Sequence, residues 1–260
     1  MLALGTAMKQ ALSRNEFHLV YQPQVDLKTG AVCGAEALLR WHHPKLGEIC
    51  PAEFVPIAEN NGQIVQIGQW VLHTVLQQLK QWERIGLPPV TVAVNVSAQQ
   101  FSNPAFPEML ARLASDIGMA PASLEIELTE AVAMRDPAMA SRTMEELDRR
   151  GFRLAIDDFG TGYSSLSYLK RFAVEKLKID QSFIRELCTN QDDQAIVTAI
   201  IQMAHGLEIK IVAEGVETPE QQAFLRDKGC DEIQGFLYGH PLKAEEFEAF
   251  LRSGPPAAVA

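Results

Sequence analysis

Eight short apolar segments recur along the chain, and amphipathic stretches lie between most of them. The segments are rich in Val, Ile and Leu, which is typical of strands that are buried on both faces. They occupy residues 17–25, 31–41, 90–96, 123–129, 152–158, 175–180, 209–215 and 231–238. Strands that alternate with helices in this way predict a parallel sheet.

The stretch over residues 64–82 has the period of an amphipathic helix. Ile67, Val71 and Val75 recur at intervals of about four residues, so they fall along one face. We expect that face to point toward the core. A further helix is predicted to begin at Thr218 and Pro219, because Thr is a common N-cap and Pro fits the first helical turn.

Eight strands in about 250 residues predict a closed barrel of the (β/α)8 type, and an open doubly wound sheet is the alternative that the pattern leaves. Only residues 26–30 separate the first two strands, whereas a parallel crossover needs about a dozen residues or more. We therefore predict an α/β fold, a modified TIM (β/α)8 barrel whose first strand is antiparallel. One domain is expected over residues 1–252, followed by a disordered tail at 253–260.

The composition argues against several classes of function. The formal net charge of −10 argues against a broad basic surface, so we expect neither DNA nor a membrane surface as a direct partner. No segment has the length of a membrane span or the form of a signal peptide. The cysteines lie far apart, which predicts a reducing, cytoplasmic environment. An anionic ligand would need local cations to bind this acidic chain.

Polar or charged side chains lie within, or at the C-terminal end of, each of the last seven apolar segments. In a parallel barrel these ends meet at one mouth, where active sites are built. The residues are Glu36 and Arg40, Asn95, Glu127 and Glu130, Asp157 and Asp158, Lys178 and Asp180, Glu214 and Glu217, and Gln234. A single strand-end carboxylate is commonly a helix cap, but a set of this size predicts a functional site.

Five of these residues, Glu36, Glu127, Asp157, Asp158 and Glu214, would bring five negative charges to the mouth. Buried carboxylates are costly unless they are paired or bind a cation, and one lysine and one arginine cannot neutralise five. Oxygen ligands favour Mg²⁺ or Mn²⁺. Asp157 and Asp158 are adjacent and suited to bridging two ions, and two ions about 3.5–4 Å apart are the usual device for phosphodiester hydrolysis.

The same segments carry a set of motifs in order. They are YQP at 21–23, EAL at 36–38, NVS at 95–97, ELTE at 127–130, DDFGTGYSS at 157–165, LKID at 177–180, AEGVE at 213–217 and QGF at 234–236. The set resembles the EAL domain family, bacterial phosphodiesterases that hydrolyse the second messenger cyclic di-GMP in signal transduction. The resemblance covers roughly residues 8–252, and it implies the same barrel with an antiparallel first strand.

The resemblance also implies roles for the matching positions. The metal ligands would be Glu36, Asn95, Glu127, Asp157, Asp158 and Glu214. The catalytic residues would be Lys178, which orients the attacking water, together with Glu214 and Glu36. The substrate contacts would be Gln22, Leu38, Arg40, Asp158 and Gln234. Glu130 and Glu217 would anchor the DDFGTGYSS loop.

These roles imply hydrolysis of one phosphodiester of cyclic di-GMP to linear pGpG by a water that two Mg²⁺ or Mn²⁺ ions activate, with inhibition by Ca²⁺. Whether Glu214 is a general base or only a ligand stays open. The resemblance also suggests a homodimer and a place within a longer, membrane-anchored protein. Two alternatives are a receptor that binds the nucleotide without cleaving it and a Mg²⁺-dependent lyase or isomerase of the enolase type. The complete acidic set disfavours the receptor, and the motifs disfavour the lyase.

Overall fold

The computed structural model describes residues 2–162 and 166–254, and its strands form one closed barrel. The strands are β1 Phe17–Asp26, β2 Val32–His43, β3 Gly47–Ile49, β4 Thr91–Asn95, β5 Leu124–Thr129, β6 Arg153–Phe159, β7 Lys176–Ile179, β8 Lys210–Glu214 and β9 Glu232–Gln234. All of these except β3 belong to the barrel wall. The predicted TIM-like α/β barrel is confirmed, and the open doubly wound sheet is excluded.

Helices lie between the strands. They are α1 Leu2–Ala11, α2 Pro51–Asn60, α3 Ile64–Arg84, α4 Ala98–Phe101, α5 Phe106–Ile117, α6 Glu130–Arg135, α7 Pro137–Arg149, α8 Leu166–Leu169, α9 Gln181–Arg185, α10 Gln191–Gly206, α11 Pro219–Asp227 and α12 Ala244–Ser253. Within the described residues, none of these helices has both the length and the apolar character that a bilayer crossing requires. The predicted tail at 253–260 falls, beyond Gly254, outside the described residues.

The first strand runs against the rest of the barrel. β1 pairs antiparallel with β2 on one side and with β9 on the other, whereas the pairs from β2–β4 through β8–β9 are parallel. The turn between β1 and β2 explains the reversal. The Asp26 side chain accepts hydrogen bonds from the backbone N–H and the hydroxyl of Thr29, at 2.7 and 2.8 Å, and Gly30 has a φ of 71°. Such a tight turn can join only antiparallel strands.

Apolar side chains on the outer face of the strands pack against the helices. On β5, Ile126 and Leu128 are fully buried there, and α3 buries Ile67, Val71 and Val75 as the pattern predicts. At Thr218 a capping box with Gln221 begins α11, with Pro219 in the first turn. Because side chains alternate along a strand, the outward position of the apolar residues turns the intervening polar ones into the lumen.

Two details differ from the sequence pattern. The last strand spans only Glu232–Gln234 instead of 231–238, since the chain turns away at Gly235. A Cβ at Gly235 would lie 2.1 Å from the carbonyl oxygen of Val216, so this close packing of two loops requires glycine. The short strand β3 was not predicted; it pairs with the end of β2 outside the barrel wall.

Candidate functional site

Lys178 of β7 lies at the centre of a group of carboxylates inside the barrel mouth. Its Nζ is 2.7 Å from Glu214 Oε1, 3.0 Å from Glu127 Oε2, and 3.3 Å from both Glu36 Oε2 and Asp157 Oδ1. The four acids come from β2, β5, β6 and β8. We call Glu36, Glu127, Asp157 and Glu214 the carboxylate cluster. Residues far apart in sequence thus meet where the strand ends converge.

Strand alternation explains why these groups face inward. Lys178 lies between Leu177 and Ile179, both fully buried on the helix side of β7. The lysine side chain is itself 0% exposed. A lysine is almost never buried in this way without acidic partners, because removing its charge from water is costly. The surrounding carboxylates offset that cost.

The cluster holds more potential negative charge than the lysine can neutralise. Burial opposes the charged form of Lys178, but the carboxylates, with Asp157 the strongest, hold its pKa well above the usual value. Burial raises the pKa of Glu127 and of Asp157, although the positive charge of Lys178 acts to lower both values. Burial also raises the pKa of Glu214, to about 8. The metal-free cluster therefore favours additional protons or additional cations.

Glu36 is the exception within the cluster. Burial would raise its pKa, but Lys178 and hydrogen bonds from Gln234 and Asn95 outweigh this effect and lower it. The Nδ2 of Asn95 donates to Glu36 Oε1 at 2.6 Å, and Nε2 of Gln234 donates to Glu36 Oε2 at 2.6 Å. Glu36 is thus held as an ionised carboxylate between two amides.

The donor set fits divalent metal. Glu36, Glu127 and Asp157 each place one carboxylate oxygen within 4.8 Å of the others, and so do Asp157, Asp158 and Glu214. Asp157 belongs to both groups, as a residue that bridges two ions must. The other oxygen of Glu127, Oε1, is buried and has no hydrogen-bond partner among the described residues. A buried oxygen without a donor is what a hard cation would satisfy.

Asp158 reaches the second group through an unusual backbone conformation. Its φ is 54°, in the left-handed region, and its N–H donates to Asp157 Oδ1 at 2.9 Å. Burial and the neighbouring charge of Asp157 raise the pKa of Asp158 to about 6. Such a backbone conformation costs about 1–3 kcal/mol in a residue other than glycine, and residues of this kind cluster at active sites.

A cavity of about 240 Å³ opens above the cluster. Its lining residues are Gln22, Glu36, Asp157, Gln181, Glu214, Gly215, Glu217, Gln234, Gly235 and Phe236. Nε2 of Gln234 also lies 3.1 Å from Gln22 Oε1, which links these two predicted substrate contacts. Leu38 and Arg40 are not among the lining residues; they share a face of β2 with Glu36 and are half-buried toward the end of that strand.

The two predicted loop anchors differ. Glu130 is 1% exposed, and its Oε2 accepts a hydrogen bond from the N–H of Gly160 at 3.0 Å. It therefore holds the start of the DDFGTGYSS loop, of which residues 163–165 lie outside the described part. Glu217 lines the cavity, and within the described residues no hydrogen bond or ion pair joins its side chain to the loop. Its role as an anchor stays a prediction.

Two features escaped the sequence pattern. Phe236 is 50% exposed in the cavity wall, with its ring centroid 4.1 Å from that of His240. The QGF motif contains this residue, but only the fold shows that the ring is open to solvent. The second feature is a group of charged residues deeper in the lumen, Glu125, Lys176 and Glu232. The alternation of side chains along the strands predicts that these residues face inward.

The sequence and the fold of this chain are similar to those of known proteins. The EAL domain family model matches residues 6–241. MucR of Pseudomonas aeruginosa, a bifunctional diguanylate cyclase/cyclic di-GMP phosphodiesterase, is 46% identical over 242 residues, which are 93% of this chain and 35% of MucR. The cyclic di-GMP phosphodiesterase NbdA of the same organism is 40% identical over 97% of this chain and 32% of NbdA.

The chain thus spans about a third of the length of these curated relatives. A solved structure of the PaMucR phosphodiesterase in complex with c-di-GMP has a TM-score of 0.91 and 46% identity, and the match covers 94% of this chain and 99% of that one. The family model extends over most of the sequence, and the two folds are closely similar. The chain therefore belongs to the EAL domain family.

Proposed function

We propose that this domain is a metal-dependent phosphodiesterase that hydrolyses cyclic di-GMP to linear pGpG. The observation that carries the proposal is the carboxylate cluster around Lys178, with its acids on four separate strands and a buried oxygen of Glu127 that has no hydrogen-bond partner in the described part of the chain. The names of the relatives support the substrate, since MucR and NbdA are described as acting on this nucleotide.

A first divalent ion would be held by Glu36, Asn95, Glu127 and Asp157. A second would be held by Asp157 and Asp158, with the help of Glu214. Bound Mg²⁺ or Mn²⁺ would supply positive charge for the phosphate and lower the pKa of a water molecule. This also meets the requirement that a chain of net charge −10 needs local cations to hold an anionic nucleotide.

The residues of the chain have distinct tasks in the reaction. Lys178 stays ionised between its acidic partners and orients the attacking water with its ammonium group. Glu214 has the most exposed side chain of the cluster, 17%, and the pKa of its carboxyl is about 8 without metal. We assign to Glu214 the removal of the water proton. The water oxygen then bonds to phosphorus and the bond to the 3′ oxygen breaks. That oxygen takes up a proton from solvent, and Glu214 releases its proton to solvent.

Substrate would lie over the cavity, with Gln22 and Gln234 at its floor and Leu38 and Arg40 along β2. Arg40 supplies a cation for a phosphate, and Asp158 can accept hydrogen bonds from the base or the ribose. The open ring of Phe236 offers a flat apolar surface on which a guanine can stack.

The test is to incubate cyclic di-GMP with the protein and Mg²⁺ or Mn²⁺ and to follow pGpG by chromatography. Glu36→Ala should lower turnover by about a thousandfold or more while the circular dichroism spectrum is unchanged, because it removes a metal ligand. Glu48→Ala, at an exposed acid of β3, is the matched control and should stay fully active.

Other outcomes would exclude the proposal. Nucleotide binding without pGpG would favour the receptor function, and near-normal activity of Glu36→Ala would contradict the ligand assignment. Ca²⁺ should inhibit, since it prefers longer bonds and a higher coordination number than Mg²⁺. Full activity in Ca²⁺ alone would argue against the two-ion site.

We also propose that the domain works as a homodimer in the cytoplasm, without DNA, and as part of a longer, membrane-anchored protein. The greater length of the relatives supports the presence of further domains. Light scattering of the purified domain tests the dimer, which a monomeric mass at micromolar concentration would exclude.

A further inference from the structure

A second buried ion cluster lies in the lumen, and the proposed reaction makes no use of it. The Nζ of Lys176 is 2.8 Å from Glu232 Oε2 and 3.3 Å from Glu125 Oε2. The side chains of these three residues are at most 6% exposed. We call Glu125, Lys176 and Glu232 the lower ion layer.

The lower ion layer lies directly beneath the candidate metal site. Each of its members lies two residues before a residue on the same strand that belongs to the carboxylate cluster or contacts it. The pairs are Glu125 and Glu127 on β5, Lys176 and Lys178 on β7, and Glu232 and Gln234 on β9. Side chains two residues apart on a strand share a face at a spacing of about 7 Å, so the two sets of charges are stacked along the barrel.

The lower ion layer lies close enough to the metal site to change the electrostatic potential there. The lower ion layer is buried and the carboxylate cluster is mostly buried, so charges about 7 Å apart interact more strongly here than they would at the surface. The ammonium of Lys176 repels cations above it, whereas the carboxylate of Glu232 attracts them.

We propose that the lower ion layer sets the affinity of the carboxylate cluster for divalent cations through the sign of its charges. Lys176 weakens metal binding and Glu232 strengthens it, although neither residue touches the ions. They act as positioning charges rather than as ligands. This inference rests on the metal site of the proposed function, and it adds two residues of this chain that control how tightly the metal is held.

The test is titration calorimetry of Mn²⁺ into the metal-free domain at pH 8.5, without substrate. Lys176→Met should lower the dissociation constant, and Glu232→Gln should raise it, each by at least about sevenfold, which is the effect of one charge on a divalent ion about 7 Å away at the dielectric constant of water. The double variant Lys176→Met/Glu232→Gln restores the charge and should return to within about twofold of the wild type. Lys228→Met, at an exposed lysine after α11, is the control and should change nothing.

The pattern of signs separates an electrostatic role from a merely structural one. A structural role would weaken Mn²⁺ binding in both single variants and weaken it further in the double variant, which would overturn the inference. Equal affinities in all variants would overturn it as well. If Lys176→Met does not fold, the question is decided by two other results: the loss of Mn²⁺ affinity in Glu232→Gln and the recovery of that affinity in the double variant. Failure of the wild type to bind Mn²⁺ would instead overturn the metal site itself.

Discussion

Replacing Lys178 by methionine should make the stability of the metal-free domain depend strongly on pH and on added metal. The substitution keeps the length of the side chain but removes the ammonium group that contacts the four acids of the carboxylate cluster, at 2.7–3.3 Å. Removing one partner of a buried ion pair typically costs about 3–5 kcal/mol, because the other partner stays buried without compensation. We expect a loss of about 4 kcal/mol at pH 8.

The sign of the pH dependence follows from the pKa shifts. The pKa of Lys178 is raised in the folded protein, so in the wild type its contribution is complete below the ordinary lysine pKa and is lost only above the folded value. Lys178 therefore stays protonated from pH 5 to 9, so a pH dependence in this range comes from the acids. In the variant the acids lack their counter-charge, and their pKa values rise further. They bind protons in the folded state that the unfolded chain releases, so the penalty should grow from about pH 5 to pH 8.

Urea unfolding at pH 5.5 and pH 8, with and without Mn²⁺, measures these effects. Mn²⁺ binds only the folded state, so it should restore about 2.7 kcal/mol of the variant's stability when present at a hundredfold excess over its dissociation constant. Lys228→Met serves as the control for loss of a lysine charge. A loss below about 1 kcal/mol at pH 8, or a loss independent of pH, would refute the view that Lys178 is the structural counter-ion of the cluster.

Three further results are expected. Since the pKa of Glu214 is about 8, Mn²⁺ affinity by calorimetry should rise with pH up to that value and then level off; a flat profile from pH 6 to 9 would contradict its place at the metal. Glu130→Ala should lower turnover at least about tenfold and increase proteolytic cleavage in the DDFGTGYSS loop, whereas unchanged cleavage would mean that Glu130 does not hold the loop. Gly235→Ala should destabilise the domain by about 2 kcal/mol or more in urea, because its methyl group would collide with Val216; Gly239→Ala, which has room, is the control, and equal stabilities would disprove the steric argument.

Much of the fold could be predicted because its signals are local. The link between the first two strands is too short for a crossover, which sets the direction of β1. Alternation along β5 turns Glu127 into the lumen whatever its neighbours are. Convergence of strand ends then brings the acids together, since a closed barrel has only one such mouth.

The remainder depends on contacts that the sequence does not show. The end of β9 is set by the packing of Gly235 against Val216, a partner 19 residues earlier in the chain. The exposure of Phe236 depends on the shape of the cavity. The lower ion layer is a different case. The alternation that places Glu127 inside also places Glu125 and Lys176 there, but it does not show which of these charges meet across the lumen.

The reversed first strand has a consequence for biosynthesis. β1 can pair with β2 as soon as both have been synthesised, but the other edge of β1 stays unpaired until β9 is present. The seam between β1 and β9 is closed by a hydrogen bond of 3.0 Å between the side chains of Gln24 and Gln234, which are separated by 210 positions. A nascent chain emerging from the ribosome therefore exposes an open sheet edge until nearly the whole domain has been translated. Products truncated before β9 would lack both the seam and the amide that holds Glu36, and they would tend to aggregate instead of acting as partial enzymes.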